Sequence, residues 1–332
     1  MEIRESIDYR VARAVFKMND CLLADLIVKF KSKDKKRALS MAQIKKELSN
    51  KDLFNADFSK PLDPITLTPN GFKFVRKKII ESIEAREMQF SPSALREFKN
   101  YGPRGLISYY MKVWKEKTPD MILGIAFETY ALEYDNFYNQ FFILDETQRP
   151  EPDKDYKTKV NREWKAEIIA ANKGKFVIAP ETLETIKDVD TQLKITGDFF
   201  MDSQVGIKQA ELIGEYEGIL VMGILDLYVE GKKIWDLKKV QDAKFDRVKW
   251  TIINDYIIQG ACYWWLAGQN CDVSFICADP SGHVVEVGIS EQRLFSEVDN
   301  LKALISKLNK AIDTGNWDAG EDFVHGGKHI IF

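Results

Sequence analysis

The chain has 332 residues, 45% hydrophobic and 30% charged, with a formal net charge of −3 at pH 7. That length holds one large domain or one domain with an appendage, and the near-neutral charge excludes a global basic field, so any grip on a polyanion comes from local patches. No apolar run approaches the roughly 20 residues of a membrane span, and the charged start MEIRESIDYR lacks the apolar core of a secretion signal. Cys21, Cys262, Cys271 and Cys277 show no C-x-x-C spacing and read as reduced intracellular thiols, with no zinc or iron–sulfur site.

Residues 1–87 read as a mainly helical region whose role the sequence does not disclose. Residues 7–30 carry apolar residues at helical spacing (Val11, Val15, Leu22, Leu26). The basic run from Lys29 to Arg37 that follows is more often a solvated face than a phosphate site. Residues 40–48 are expected to form a short second helix. Pro61 and Pro64, with several Asp and Asn, make 50–67 a loop. Thr68-Pro69-Asn70-Gly71 then opens a helix through residue 83.

Residues 88–332 read as one α/β domain. Ser91-Pro92-Ser93-Ala94 starts a helix, with serine as the cap and proline in the first turn. Gly102-Pro103 breaks it, and 106–115 form another. Residues 121–138 are helical in period and carry Gly124 and Glu128 on one side. A loop over 150–159 precedes helices at 161–172 and 180–201. Residues 209–216 and 219–228 form a strand pair turning at Glu217-Gly218. An aromatic-rich helix over 247–267, strands at 273–278 and 284–288, and a helix over 291–312 complete the domain. A Gly-rich tail follows; His283, His325 and His329 have no partners at ligand spacing. Mixing of strands and helices in this order predicts a central mixed β-sheet flanked by helices.

The most informative stretch is 223–239, GILDLYVEGKKIWDLKK. Gly231 sits midway between Asp226 and Asp236 in the polar run Glu230-Gly231-Lys232-Lys233, which reads as a hairpin turn between two short apolar strands. A hairpin centred on Gly231 sets Asp226 opposite Asp236, and strand alternation places Lys238 on the face of Asp236. Two carboxylates and an ammonium on an apolar hairpin need pairing or a metal if buried. The hairpin alone leaves open an edge ribbon whose charges pair with one another at the surface.

Asp226, Asp236-Leu237-Lys238 and then Gln259-x-x-x-Tyr263 on the next helix resemble the PD-(D/E)xK nuclease superfamily, and within it the RecB- and RecE-like exonucleases related in fold to lambda exonuclease. Ser91-Pro-Ser93, Leu123-Gly124-Ile-Ala-Phe-Glu128, Leu132-Glu133, the helix end at Ala170–Lys175, and Glu211 extend the resemblance over roughly residues 90–312. Glu128 stands where the family has histidine, and Leu225 where it often has proline. The resemblance implies a restriction-endonuclease-like core, with the site at Glu128, Glu211, Asp226, Asp236, Leu237, Lys238, Gln259 and Tyr263.

Phosphodiester hydrolysis needs an activated water, neutralisation of charge growing on the phosphorane, and help for the leaving oxygen, all of which divalent ions held by carboxylates supply. Asp226, Asp236, Glu211 and the Leu237 carbonyl would hold one ion, and Glu128 would complete or share a second. Mg²⁺ is the expected cofactor, with Mn²⁺ the alternative. Lys238 would orient or deprotonate the attacking water; burial lowers its pKa and the acids raise it, so the sequence leaves its role as base open. Gln259 and Tyr263 lie one turn apart on one helix face, where they would hold water or phosphate. Tyr263 reads equally as core packing, and Glu211 beside Glu215 and Glu217 as a solvated strand face.

Lys232, Lys233, Lys239, Lys244, Arg247 and Lys249 are the expected DNA contacts, a local positive segment set against Asp236, Asp242 and Asp246. Lys157, Lys159, Arg162 and Lys165 alternate with acids and read as a solvated helix. Phosphate contacts carry no sequence information, which suits an exonuclease. The expected function is a Mg²⁺-dependent deoxyribonuclease acting on DNA ends in recombination or repair. An endonuclease of the same fold and a catalytically silent DNA-binding or scaffold protein are the alternatives. The resemblance further implies double-stranded ends as substrate, a single-strand annealing protein as partner, a homo-oligomer, and a cytoplasmic bacterial or phage-encoded setting without a membrane.

Overall fold

A computed structural model describes residues 6–18, 21–30, 38–59, 63–111, 117–154, 156–195, 197–320 and 324. The chain divides into two compact units, one of residues 1–116, 214–222 and 302–332, the other of 117–213 and 223–301.

The first unit opens with α1 (Ile7–Lys17), α2 (Leu23–Phe30) and α3 (Met41–Leu48). The single helix expected over 7–30 is therefore two. Met18 leaves helical backbone at φ −98 and ψ 126, and the Asp25 carboxylate accepts from the Leu22 N–H at 3.1 Å, which favours a fresh helix start. Within the expected loop, β1 (Phe54–Asn55) pairs antiparallel with β2 (Thr66–Leu67); strands of two residues have no period to read. Thr68 caps α4 (Pro69–Glu84) by accepting from Gly71 N–H at 3.0 Å. β3 (Gln89–Phe90) runs parallel to Leu220–Val221. Ser91 caps α5 (Pro92–Tyr110) by accepting from Ala94 N–H at 3.2 Å.

The break expected at Gly102-Pro103 is present: within α5 two helical segments meet at Gly102, whose φ +68 and ψ −163 are not helical. A Cβ on Gly102 would lie 2.0 Å from the Gly320 carbonyl, so both backbone angle and space require glycine. α1 packs on α3 and α4, and Val11, Leu26, Ile44, Val75, Ile79 and Ile83 are buried. Most of the basic run (31–37), the end of the helix expected over 106–115, and His325 and His329 lie outside the described residues.

In the second unit, α6 (Pro119–Leu132), α7 (Tyr134–Gln140), β4 (Phe141–Ile143), α8 (Lys159–Ala171), β5 (Phe176–Ile178), α9 (Pro180–Ile195) and α10 (Asp198–Val205) precede the main sheet. The helix expected over 121–138 breaks at Glu133 (φ −131, ψ 48), and that over 180–201 breaks at Gly197 (φ +77). Apolar spacing runs through such short interruptions, so periodicity alone does not mark them. β4 and β5 form a short parallel ladder that the sequence reading missed.

The sheet consists of β6 (Ile207–Tyr216), β7 (Ile219–Val229), β8 (Lys233–Lys239), β9 (Asp272–Ala278) and β10 (Val284–Ile289), with β3 at the start of β7. The order is β10-β9-β8-β7, and β6 also pairs with β7. Glu217 (φ +50) and Gly218 (φ +76) make the β6–β7 turn, two positive φ values as a tight hairpin requires. β8 is parallel to β9 and antiparallel to β7, so the sheet is mixed as expected. The helix expected over 247–267 is present as α11 (Phe245–Thr251), a π-helical segment (Ile252–Tyr256) and α12 (Ile257–Leu266), which follow one another without a break. α13 (Glu291–Thr314) ends the series.

Strand alternation builds a core on each face. Ile234, Val273, Phe275 and Cys277 pack with Val248, Ala261, Tyr263, Trp264, Leu294 and Val298. Trp235, Ile276 and Ala278 pack with Ala126, Phe127, Phe137, Ile186 and Phe199 on the other face. Helices thus flank a central mixed sheet, the α/β architecture the sequence predicts. The four cysteines are free thiols. Among the described residues no helix is long and apolar enough to cross a membrane.

Candidate active site

The hairpin turns at Gly231, whose φ is +67, with the Lys232 N–H donating to Val229 O at 3.0 Å. Its register pairs Val229 with Lys233, Tyr228 with Ile234 and Leu227 with Trp235, one residue short of Asp226 and Asp236. The ladder ends at that pair. There the Leu237 N–H donates to Asp226 Oδ2 at 2.7 Å, a side-chain acceptor where paired backbone has run out. Asp236, level with Phe275 of β9, is 0% exposed. Beneath the hairpin, the Trp235 indole donates to Asp202 Oδ2 at 2.9 Å and Lys232 pairs with the same carboxylate, which ties β8 to α10.

Lys238 shares the face of Asp236 and forms an ion pair with its Oδ2. Its Nζ lies 3.4 Å from Leu237 O and 5.3 Å from the centroid of the Tyr256 ring. Gln259 donates its side-chain amide to Asp236 Oδ1 at 3.1 Å and to Tyr263 Oη at 2.7 Å. Asp226, Asp236, Lys238, Gln259 and Tyr263, named from sequence, therefore meet in one place.

Burial and then the Asp236 charge push Asp226 well above the usual carboxylate range, against the pull of Lys238. Burial likewise raises Asp236 despite Lys238. For Lys238, burial pulls the pKa down, but Asp236 and Asp226 outweigh it and leave it raised. Lys238 is thus held as an ammonium. Burial raises Tyr263 as well, so it stays a neutral phenol.

Glu128, half-buried on α6, is also raised by burial, against a hydrogen bond from Gln209 and the charge of Lys238. The Gln209 amide donates to Glu128 Oε1 at 2.5 Å, from a backbone at φ +52 that a non-glycine residue rarely adopts. Gln209 belongs to no motif, and no sequence signal singled it out. Glu211 is exposed on β6, and its side chain has no hydrogen bond or ion pair among the described residues.

Most of the expected DNA contacts stand in ion pairs. Lys232 pairs with Asp202, Lys233 with Glu286 at 2.8 Å, and Lys239 with Asp120 at 2.6 Å. Arg247 and Lys244 share Asp242 at 3.1 and 3.6 Å. Lys249 is exposed.

Among the described residues no three His, Cys, Asp or Glu side chains are grouped to hold a metal ion. Asp226 and Asp236 with the Leu237 carbonyl nevertheless fit Mg²⁺, which is usually bound through one or two carboxylates and keeps several waters. Asp236 Oδ2 is buried and already carries the Lys238 ammonium, so this carboxylate oxygen stands where a cation is accommodated.

A crystal structure of a candidate exonuclease from Eubacterium rectale is similar over 77% of this chain and 94% of its own, at 14% identity and a TM-score of 0.47. A crystal structure of SSO0001 is similar over 55% of this chain and 84% of its own, at 14% identity and a TM-score of 0.23. Neither likeness is strong enough to carry an argument about activity. No curated protein matches the sequence. Residues 91–319, more than half of the chain, match a family described as a PDDEXK-like domain of unknown function (DUF3799), and the chain belongs to that family.

Proposed function

We propose that this chain is a metal-dependent nuclease that hydrolyses DNA phosphodiester bonds, acting as an exonuclease on DNA ends in recombination or repair. The observation that carries this reading is the closure of Asp226, Asp236, Lys238 and Gln259 into one bonded group where the β7–β8 ladder ends. Burying charge costs free energy unless it is matched. Burial and the neighbouring acid disfavour the Asp226 carboxylate, and a divalent cation between the two acids would favour its ionised form.

Asp226, Asp236 and the Leu237 carbonyl would hold Mg²⁺ or Mn²⁺, and Glu128 and Glu211 are the acids proposed to complete or extend that set. When bound, such an ion lowers the pKa of a water and neutralises phosphate charge. Lys238, held protonated by its acids, presents fixed positive charge to the scissile phosphate and stabilises the charge that grows on its oxygens. Gln259 holds Asp236 by Oδ1 and leaves Oδ2 to Lys238. Tyr263 Oη accepts from Gln259, so its own proton is available to a water or a phosphate oxygen. Contacts to phosphate by Lys244, Arg247 and Lys249, with Lys232, Lys233 and Lys239 beside them, would hold DNA without reading sequence, as an end-directed enzyme requires.

Digestion of end-labelled linear duplex and closed circular DNA, with Mg²⁺ or EDTA, tests the reading with wild type and Lys238→Ala. Metal-dependent loss of the linear substrate alone, abolished by the substitution, is the expected result. Cutting of the circle would identify an endonuclease. Binding without cutting under any divalent ion would identify a DNA-binding protein.

A further inference from the structure

A cavity of about 550 Å³ lies at the C-terminal end of α6, bounded by α7, α9, α10 and the start of β6. That volume falls in the range of small-molecule and nucleotide sites, roughly 300–1,000 Å³. Leu132 lines it, four residues after Glu128 and hence on the same side of α6, about one 5.4 Å turn farther on. Lys208 lines it too, directly before Gln209, whose amide holds Glu128. The cavity therefore begins about one helical turn along α6 from Glu128, whose carboxyl feels the charges of Lys238 and Asp236.

Its walls are aromatic and polar together. Tyr134 is 52% exposed, and its ring stands at 90° to Tyr130, with centroids 5.0 Å apart. Phe200 is exposed on α10; the buried Ser203 hydroxyl donates to Phe200 O at 2.7 Å and accepts from the Gln204 amide at 3.2 Å, which leaves the Gln204 carbonyl oxygen as the hydrogen-bonding group on that wall. Glu133, Asp135 and Asp190 line the cavity against two cations, Lys194 and Lys208. Lys194 is already paired with Asp190, and Glu133 accepts from Asn136 at 3.1 Å. A phosphate does not suit an interior with excess acid, but a neutral ring that stacks and hydrogen-bonds does. Lys208 is exposed, with no ion pair among the described residues, and is free to meet the phosphate attached to such a ring.

We infer that this cavity receives an unpaired nucleotide base at the end of the strand being cut, stacked on Tyr134. The inference rests on the nuclease reading above and narrows its substrate class to ends with a frayed or single-stranded nucleotide. A base inside a flush duplex is stacked and paired, and extruding it costs a few kcal/mol.

The test uses short duplexes, one with a flush end and one with an overhang ending in 2-aminopurine, bound in EDTA to wild type, Tyr134→Ala and Tyr134→Phe. Because the Tyr134 ring is half-exposed, its loss leaves the core intact. Wild type is expected to bind the overhang more tightly than the flush end and to change the terminal 2-aminopurine fluorescence. Tyr134→Ala should lose that signal and bind the overhang at least about fivefold more weakly, the lower end of one base–aromatic stack. Tyr134→Phe, which keeps the ring face, should retain both. Equal overhang binding and fluorescence for wild type and Tyr134→Ala would overturn the inference while leaving the nuclease reading intact. A wild-type protein that neither binds nor cuts DNA would overturn both.

Discussion

The Gln259 side-chain amide donates to Asp236 Oδ1 at 3.1 Å, joining α12 to the middle of β8. Asp236 is fully buried, so Gln259→Ala strips a donor from a carboxylate that water cannot reach. The expected loss of stability is about 1–3 kcal/mol, measurable by urea unfolding. Nuclease activity should fall at least about tenfold, because the carboxylate is no longer held in place. Full activity in this variant would remove Gln259 from the site.

Lys238 faces Asp236 in the interior, and breaking a buried pair leaves an unmatched charge. Lys238→Met is expected to destabilise the fold by about 3–5 kcal/mol. Adding Asp236→Asn should recover much of that loss, since neither charge then remains. A double-mutant cycle by chemical denaturation checks this, and additive effects would show that the two residues do not interact.

A cation bound by Asp226 and Asp236 binds the folded state alone, because the pair exists only where β7 meets β8. Mg²⁺ is expected to raise the unfolding midpoint, by about 2.7 kcal/mol in stability at a hundredfold excess over its dissociation constant. EDTA should reverse the gain. Asp226→Asn and Asp236→Asn should each reduce it. A midpoint indifferent to Mg²⁺ and Mn²⁺ would argue against these ligands.

Gly223 lies against the ring that Gln259 holds. A Cβ there would fall 2.8 Å from Tyr263 Cδ1 and 3.0 Å from Leu266 Cδ1. Gly223→Ala is expected to cost about 1–3 kcal/mol through overpacking and to lower activity by displacing Tyr263. A variant as stable and as active as wild type would show that the ring moves aside freely.

Asp202 sets an acid limit on stability. Burial by itself would raise its carboxyl, but hydrogen bonds from Lys232 and Trp235 outweigh burial and hold it below the usual carboxylate range. A depressed folded pKa contributes stability that is complete above the unfolded value, about 3.9, and is lost as pH falls through the folded one. Asp202→Asn should be less stable than wild type at neutral pH, with the gap closing below about pH 4. Unfolding midpoints across pH 2.5–7 test this, and a constant gap would rule the linkage out.

The hairpin geometry was readable before any tertiary contact was known. Gly231 centres the turn, and period-two alternation sets Asp236 and Lys238 on one face of β8, because both follow from local backbone rules. Element order also specified helices flanking a mixed sheet. Helix interruptions at Glu133 and Gly197, and the three-residue strands β4 and β5, escaped that reading because their backbone changes leave apolar spacing almost undisturbed.

Gln209 and Glu128 are 81 positions apart, and Asp202 and Trp235 are 33 apart. Neither pair has a sequence signature, since each partner is ordinary in its own segment. The same holds for the ion pairs that occupy Lys232, Lys233 and Lys239, and for the tyrosine-lined cavity beyond Glu128. Turn chemistry and side-chain alternation act over a few residues, so the sequence by itself determined the hairpin and the class of fold. Which distant side chains supply its remaining hydrogen bonds and charges depends on how β6 joins the sheet and how α6, α10 and α12 pack against it, and only the tertiary structure decided that.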